Sequence, residues 1–210
     1  MGIPVLILGE SGSGKSCSLR NFNPDEIGIF NVASKPLPFR RKMNICNNAN
    51  YAVIRKTLMK ANKKAYAIDD SQYLMAFEMF DRAKETGYGK FTDVALNFRN
   101  LIQLVITQTP PDCIVYFLHH TETTETGKIK AKTSGKMLDN QLTLEGLFSI
   151  VLLAKTDGKR YCFETQSDGF TTCKSPMDMF DREIDNDLKF IDTTIRNYYF
   201  EEENKNEQAK

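Results

Sequence analysis

The chain has 210 residues, 41% of them hydrophobic and 26% charged, with a formal net charge of +1. That length suits one domain with a substantial core, and the near-zero balance excludes a global electrostatic footprint for nucleic acid, so any such surface must be local. Five scattered cysteines (Cys17, Cys46, Cys113, Cys162 and Cys173) include no C-x-x-C pair, which argues against a zinc site or a disulfide framework and for a reducing compartment.

Ile3-Pro4-Val5-Leu6-Ile7-Leu8 reads as a buried strand. Its start at the N-terminus leaves no room for a signal peptide, and no apolar run approaches a membrane span, so a soluble cytoplasmic protein is expected. The strand runs into Gly9-Glu10-Ser11-Gly12-Ser13-Gly14-Lys15-Ser16, the G-x-x-x-x-G-K-S or Walker A pattern. Glycines let the backbone curl so that successive N–H groups wrap a phosphate. A helix expected to start near Gly14 adds unpaired N–H groups and the positive end of its dipole. Lys15 can reach the β- and γ-phosphates, and the Ser16 hydroxyl can ligate Mg²⁺. Gly9 to Ser16, with Cys17 beside them, are the nucleotide-binding candidates.

Ile27 to Val32 is a second expected strand, followed by a loop with Phe39 beside the basic cluster Arg40, Arg41 and Lys42. Residues 51 to 62 have helical composition. Ala65-Tyr66-Ala67-Ile68 is a third strand, ending in Asp69-Asp70 in the manner of a Walker B segment. Asp69 is the expected Mg²⁺ partner of Ser16, and Asp70 a candidate to orient or deprotonate an attacking water. The same Asp-Asp-Ser run would also serve as a simple helix cap. Helices are expected from about Ser71 to Glu85 and from about Asp93 to Gln108. Cys113 to Leu118 is the clearest buried strand and runs into His119-His120-Thr121. Adjacent strand residues point to opposite faces, so only one of the two histidines can face a nucleotide there.

In "GKIKAKTSGK", Lys128, Lys130 and Lys132 alternate and share one face if extended, either along a DNA backbone or as the solubilising charges of an edge strand. Ser149 to Ala154 and Tyr161 to Thr165 flank an Asp157-Gly158 hairpin turn. Around it, Lys155, Lys159 and Arg160 are candidates for a cationic finger reaching a neighbouring subunit's phosphate. A last helix is expected from about Asn186 to Tyr199, capped by Asp185 or Asn186, with Leu188, Ile191, Ile195 and Tyr198 on one face. Residues 201–210 have too little apolar content to fold and are expected to be disordered. Strands alternating with helices give a single α/β domain over residues 1–200.

Taken together, these residues resemble a compact, phage-encoded RecA-like P-loop ATPase of the AAA-type nucleotide-binding group, which includes RecA-core single-strand annealing recombinases. The resemblance runs from "GESGSGKS" through "NVASKPLPFR", "YAIDDSQYL", "IVYFLHHTE" and "SGKMLDNQL" to "IDNDLKFIDTTIRNYY". It implies a three-layer fold with a central, mostly parallel sheet flanked by helices. It also implies ATP with Mg²⁺, a homo-oligomeric ring or filament, and action on single-stranded DNA in recombination or replication within the bacterial cytoplasm. In P-loop ATPases the strand beside the Walker B strand often ends in a polar residue that senses the γ-phosphate; His119, His120 and Thr121 stand at that place. One departure is clear: RecA-type enzymes usually carry a catalytic glutamate after the second strand, where this chain reads Asn31-Val32-Ala33-Ser34-Lys35. The chain also opens directly on its first strand, so an oligomer is expected to form without a RecA-style N-terminal strand. Three further readings share the phosphate loop: a small-molecule kinase, an AAA+ loader and a non-catalytic nucleotide-gated module.

Overall fold

The computed structural model describes residues 1–134 and 143–207, with residues 201–207 as backbone. Residues 135–142, most of the "SGKMLDNQL" stretch, and the last three residues lie outside the described part. The strands are β1 (Ile3–Gly9), β2 (Ile27–Asn31), β3 (Ile45–Asn47), β4 (Ala65–Asp69), β5 (Ile114–Thr123), β6 (Ile129–Ala131), β7 (Ile150–Thr156), β8 (Tyr161–Glu164) and β9 (Glu183–Asp185). The helices are α1 (Tyr51–Leu58), α2 (Gln72–Asp81), α3 (Gly89–Gln108) and α4 (Leu188–Glu207). The sheet order is β3-β2-β4-β5-β1-β7-β8-β9, with β6 paired to the far end of β5. Every pairing from β3 to β7 is parallel; β5–β6, β7–β8 and β8–β9 are antiparallel.

The central strands β1, β4 and β5 are nearly continuous apolar runs because parallel strands covered on both faces bury every side chain. Alternate residues feed two cores. Leu6, Leu8, Ile68, Phe117 and Val151 pack under α1, α2 and α3 through Ile54, Leu74, Phe98 and Leu101. Val5, Ile7, Ile29, Tyr116 and Leu152 pack on the other face against Leu19, Phe22 and the Leu188, Ile191 and Ile195 face of α4. A central, mostly parallel sheet flanked by helices is therefore present.

Several boundaries differ from expectation. The segment after the glycine-rich loop is a six-residue 3-10 helix, Ser16–Asn21, rather than an α-helix. The expected helix over 51 to 62 stops at Leu58. β5 continues through His119, His120 and Thr121 to Thr123, because β6 pairs with its outer end. The cap of α4 is Asp187, whose carboxylate accepts from the Lys189 and Phe190 N–H groups, rather than Asp185 or Asn186. That helix runs on to Glu207, so the stretch 201–207 read as a disordered tail is helical backbone. The short strands β3 and β9 had no sequence signal of their own; each is held by one neighbour, β2 and β8.

Candidate functional site

The C-terminal ends of four adjacent parallel strands, β2, β4, β5 and β1, open on one side of the sheet. The loop after β1 turns back over this edge. Gly12 and Gly14 sit at φ +83 and +92, where other residues are strained. A Cβ on Gly14 would also come within 2.8 Å of the Tyr161 ring. The Lys15 ammonium folds inward and donates to the Gly9 and Glu10 carbonyls at 2.7 and 2.8 Å, leaving its third N–H for an anion. Burial draws the Lys15 pKa down to about 8, against the opposing pull of Asp70 and Asp69.

Ser16 Oγ donates to Asp69 Oδ1 at 2.7 Å, joining the loop to the end of β4. Burial raises the Asp69 pKa, and the Ser16 hydrogen bond opposes it. A hydroxyl and a carboxylate are the hard oxygen donors that Mg²⁺ takes, and nucleotide-bound Mg²⁺ draws its other ligands from phosphate and water. No group of three or more His, Cys, Asp or Glu side chains among the described residues would hold a metal unaided. Ser16 and Asp69 thus fit Mg²⁺ as a companion of phosphates.

Asp70 does not cap α2. It adopts φ +60, a left-handed conformation uncommon outside glycine, and its carboxylate turns into the cleft. Oδ1 accepts from His120 Nε2 at 3.1 Å, and Oδ2 pairs with Lys35 Nζ at 2.5 Å. Burial works to raise the Asp70 pKa, but the bonds from His120 and Lys35 outweigh it and hold the carboxyl below its usual range. Tyr73, in the first turn of α2, sets its ring edge-on to His120 and under the Lys35 ammonium. The resulting cleft of about 390 Å³ is lined by Gly12, Lys15, Lys35, Asp70, His120 and Tyr161, among others.

The two histidines separate as the strand alternation requires. His120 lines the cleft. His119 is fully buried on the opposite face beside Phe98, where it is out of reach as a catalytic group. Its Nε2–H donates to the Lys132 carbonyl at 2.8 Å, so Nδ1 accepts the Ser71 hydroxyl at 2.9 Å. Burial pushes the His119 pKa down to about 4, which keeps the ring neutral. Thr121 lies further out, in a second groove with Ser11, Ser13 and Lys155.

Other candidates have partners inside the chain. Lys130 pairs with Glu122 across the β5–β6 ribbon, whereas Lys128 and Lys132 are exposed. Lys155 pairs with buried Glu164, and Arg160 with Glu183 and Asp185, so these two finger candidates are already engaged; Lys159 is exposed on the turn. Arg41 donates to the Phe22 carbonyl, while Arg40 and Lys42 are exposed. Cys17 lines the cleft. Lys35 is a site residue absent from the sequence candidates, where the run Asn31 to Lys35 stands out for the carboxylate it lacks. The usable signal was its position just past the second parallel strand, the edge where ligands bind in such sheets. Neither a protein-family model nor a curated protein matches the chain, so the chemistry of the site is read from its own residues.

Proposed function

We propose that the chain is a RecA-like P-loop ATPase that binds ATP with Mg²⁺ in this cleft and hydrolyses it. The observation that carries the reading is the 2.7 Å bond between Ser16 and Asp69. It brings the last residue of the Walker A pattern onto the carboxylate that the Walker B reading requires. The strand order adds support, since β5, with His120 near its end, lies between β4 and β1.

The loop N–H groups and the free N–H of Lys15 receive the β- and γ-phosphates. Magnesium, when bound at Ser16 and Asp69, supplies charge neutralisation of those phosphates. A water oxygen attacks the γ-phosphorus, and the bond from that phosphorus to the β–γ bridging oxygen breaks, its electron pair leaving with ADP. Asp70, steered by His120, accepts the water's proton and returns it to phosphate or solvent. Action on single-stranded DNA in recombination or replication belongs to the same proposal and rests on the family resemblance, with exposed Lys128 and Lys132 as the backbone contacts.

Calorimetric titration with ATP and Mg²⁺, followed by phosphate release, tests the first part in the wild type and in Lys15→Ala. Loss of binding in a variant that still folds is expected; wild-type affinity and turnover in the variant would refute the phosphate-loop reading. Stimulation of phosphate release by an oligonucleotide is expected. Phosphate transfer to a nucleoside would instead favour the kinase reading.

A further inference from the structure

We propose that Lys35 is a second cation for the γ-phosphate, supplied by the chain itself rather than by a neighbouring subunit. This inference rests on the ATPase reading and identifies the residue that tells ATP from ADP.

The turn after β2 is built to hold this lysine in place. Asn31 Nδ2 donates to the Lys35 carbonyl at 2.7 Å and to Asn47 Oδ1 at 3.1 Å. Ser34 and Asn48 exchange two bonds, Ser34 Oγ to Asn48 Oδ1 at 2.8 Å and Asn48 N to Ser34 Oγ at 2.7 Å. Both residues adopt left-handed backbone, at φ +55 and +51. Such conformations in residues other than glycine persist where the surroundings fix them, and they gather at ligand sites. The short strand β3 thus braces the base of Lys35 through Asn47 and the following Asn48.

The head of the side chain is less confined. The Lys35 side chain is 60% exposed, with its ammonium held by Asp70 and by the Tyr73 ring face. Among the described residues lining the cleft, Lys15 and Lys35 are the two ammonium side chains, and burial weakens the charge of Lys15 while Asp70 strengthens that of Lys35. Lys15 spends two of its donors on the loop. A γ-phosphate entering beside Asp70 would meet a carboxylate of like charge unless a cation lies between them. An ammonium has three donors, so Lys35 can hold Asp70 and a phosphate oxygen together. ADP, which lacks the γ-phosphate, gains nothing from it. The engaged finger candidates Lys155 and Arg160 are then not required for the charge at this phosphate.

The test compares affinities for ADP and for a non-hydrolysable ATP analogue with Mg²⁺, in the wild type and in Lys35→Met, each with and without Asp70→Asn. Contact with the γ-phosphate predicts that Lys35→Met lowers the preference for the triphosphate about tenfold in both backgrounds. Lys35→Arg should retain most of that preference. If the loss occurs only while Asp70 carries its charge, Lys35 merely neutralises that carboxylate and the proposal is overturned. No loss in either background overturns it as well. A wild type that binds neither nucleotide, or a Lys15→Ala control with wild-type affinity, refutes the phosphate-loop reading and this inference with it.

Discussion

Proton uptake linked to His119 should destabilise the protein as pH falls, by an amount set by the gap between its folded and unfolded pKa. The ring is fully buried, donates from Nε2 to the Lys132 carbonyl and accepts the Ser71 hydroxyl at Nδ1. A second ring proton would remove that acceptor and leave a charge in the core. The folded pKa of about 4 lies below the ordinary value of 6.5, so the unfolded chain takes up the proton first. Stability from this group is complete above pH 6.5 and declines as pH falls toward 4. Linkage gives a loss of about 2 kcal/mol at about pH 5, approaching about 3 kcal/mol below the folded pKa. Urea unfolding followed by circular dichroism at about pH 7.5 and about pH 5, in the wild type and in His119→Gln, measures it. Gln cannot titrate, while all carboxylates remain common to both proteins. The wild type should lose about 2 kcal/mol more than the variant between the two conditions. Equal losses would show that His119 is protonated in the folded state or absent from the titration, and the buried neutral tautomer would be wrong.

Asp69→Asn should reduce Mg²⁺-dependent phosphate release far more than Mg²⁺-free nucleotide binding, because it removes charge beside Ser16 but leaves the loop intact; parallel turnover and binding assays check this. Gly14→Ala places a methyl against the Tyr161 ring at a left-handed φ and should weaken ATP binding at least about tenfold by calorimetry, at a cost of about 1–3 kcal/mol in the loop. Replacing Lys128, Lys130 and Lys132 together by Ala should flatten the salt dependence of single-strand binding by about 1.4 in log–log slope, with Lys128 and Lys132 each contributing about 0.7. Lys130 is already neutralised by Glu122 and should contribute little. Fluorescence anisotropy over a salt series measures the slope, and an unchanged slope would leave the ribbon without a role in DNA contact.

The elements with strong local signals were legible. Continuous apolar runs gave β1, β4 and β5, and the Asp157-Gly158 turn gave the β7–β8 hairpin. The approach of Ser16 to Asp69 could be read because both ends of that pair carry distinctive chemistry. What stayed hidden depends on neighbours. β3 has three residues and forms against β2; β9 likewise forms against β8. The segment after Lys15 looked helical by composition, yet it tightens to a 3-10 turn as its buried Leu19, with Phe22 just beyond it, packs into the core. Which histidine faces the cleft followed from strand alternation only in part. The period separates the two but does not say which face holds the nucleotide. For Lys35 the sequence offers only its place just past the second strand; its partner Asp70 comes within reach once β2 and β4 lie side by side.

Ser16 and Asp69 are 53 residues apart in the chain, and Asp70 and His120 are 50 apart. Local structure alone brings none of these groups together, since each waits on the parallel pairing of β2, β4, β5 and β1. Non-local pairings of this kind pay their loop-closure entropy before they gain contacts, so they complete late in folding. A partly folded form lacking these strand pairings would lack the cleft. A ligand that needs the assembled cleft would bind the native state alone and shift the folding equilibrium by mass action. The cleft would thus report global integrity: damage to any strand that carries it, however distant from the glycine-rich loop, should appear there as lost affinity for such a ligand.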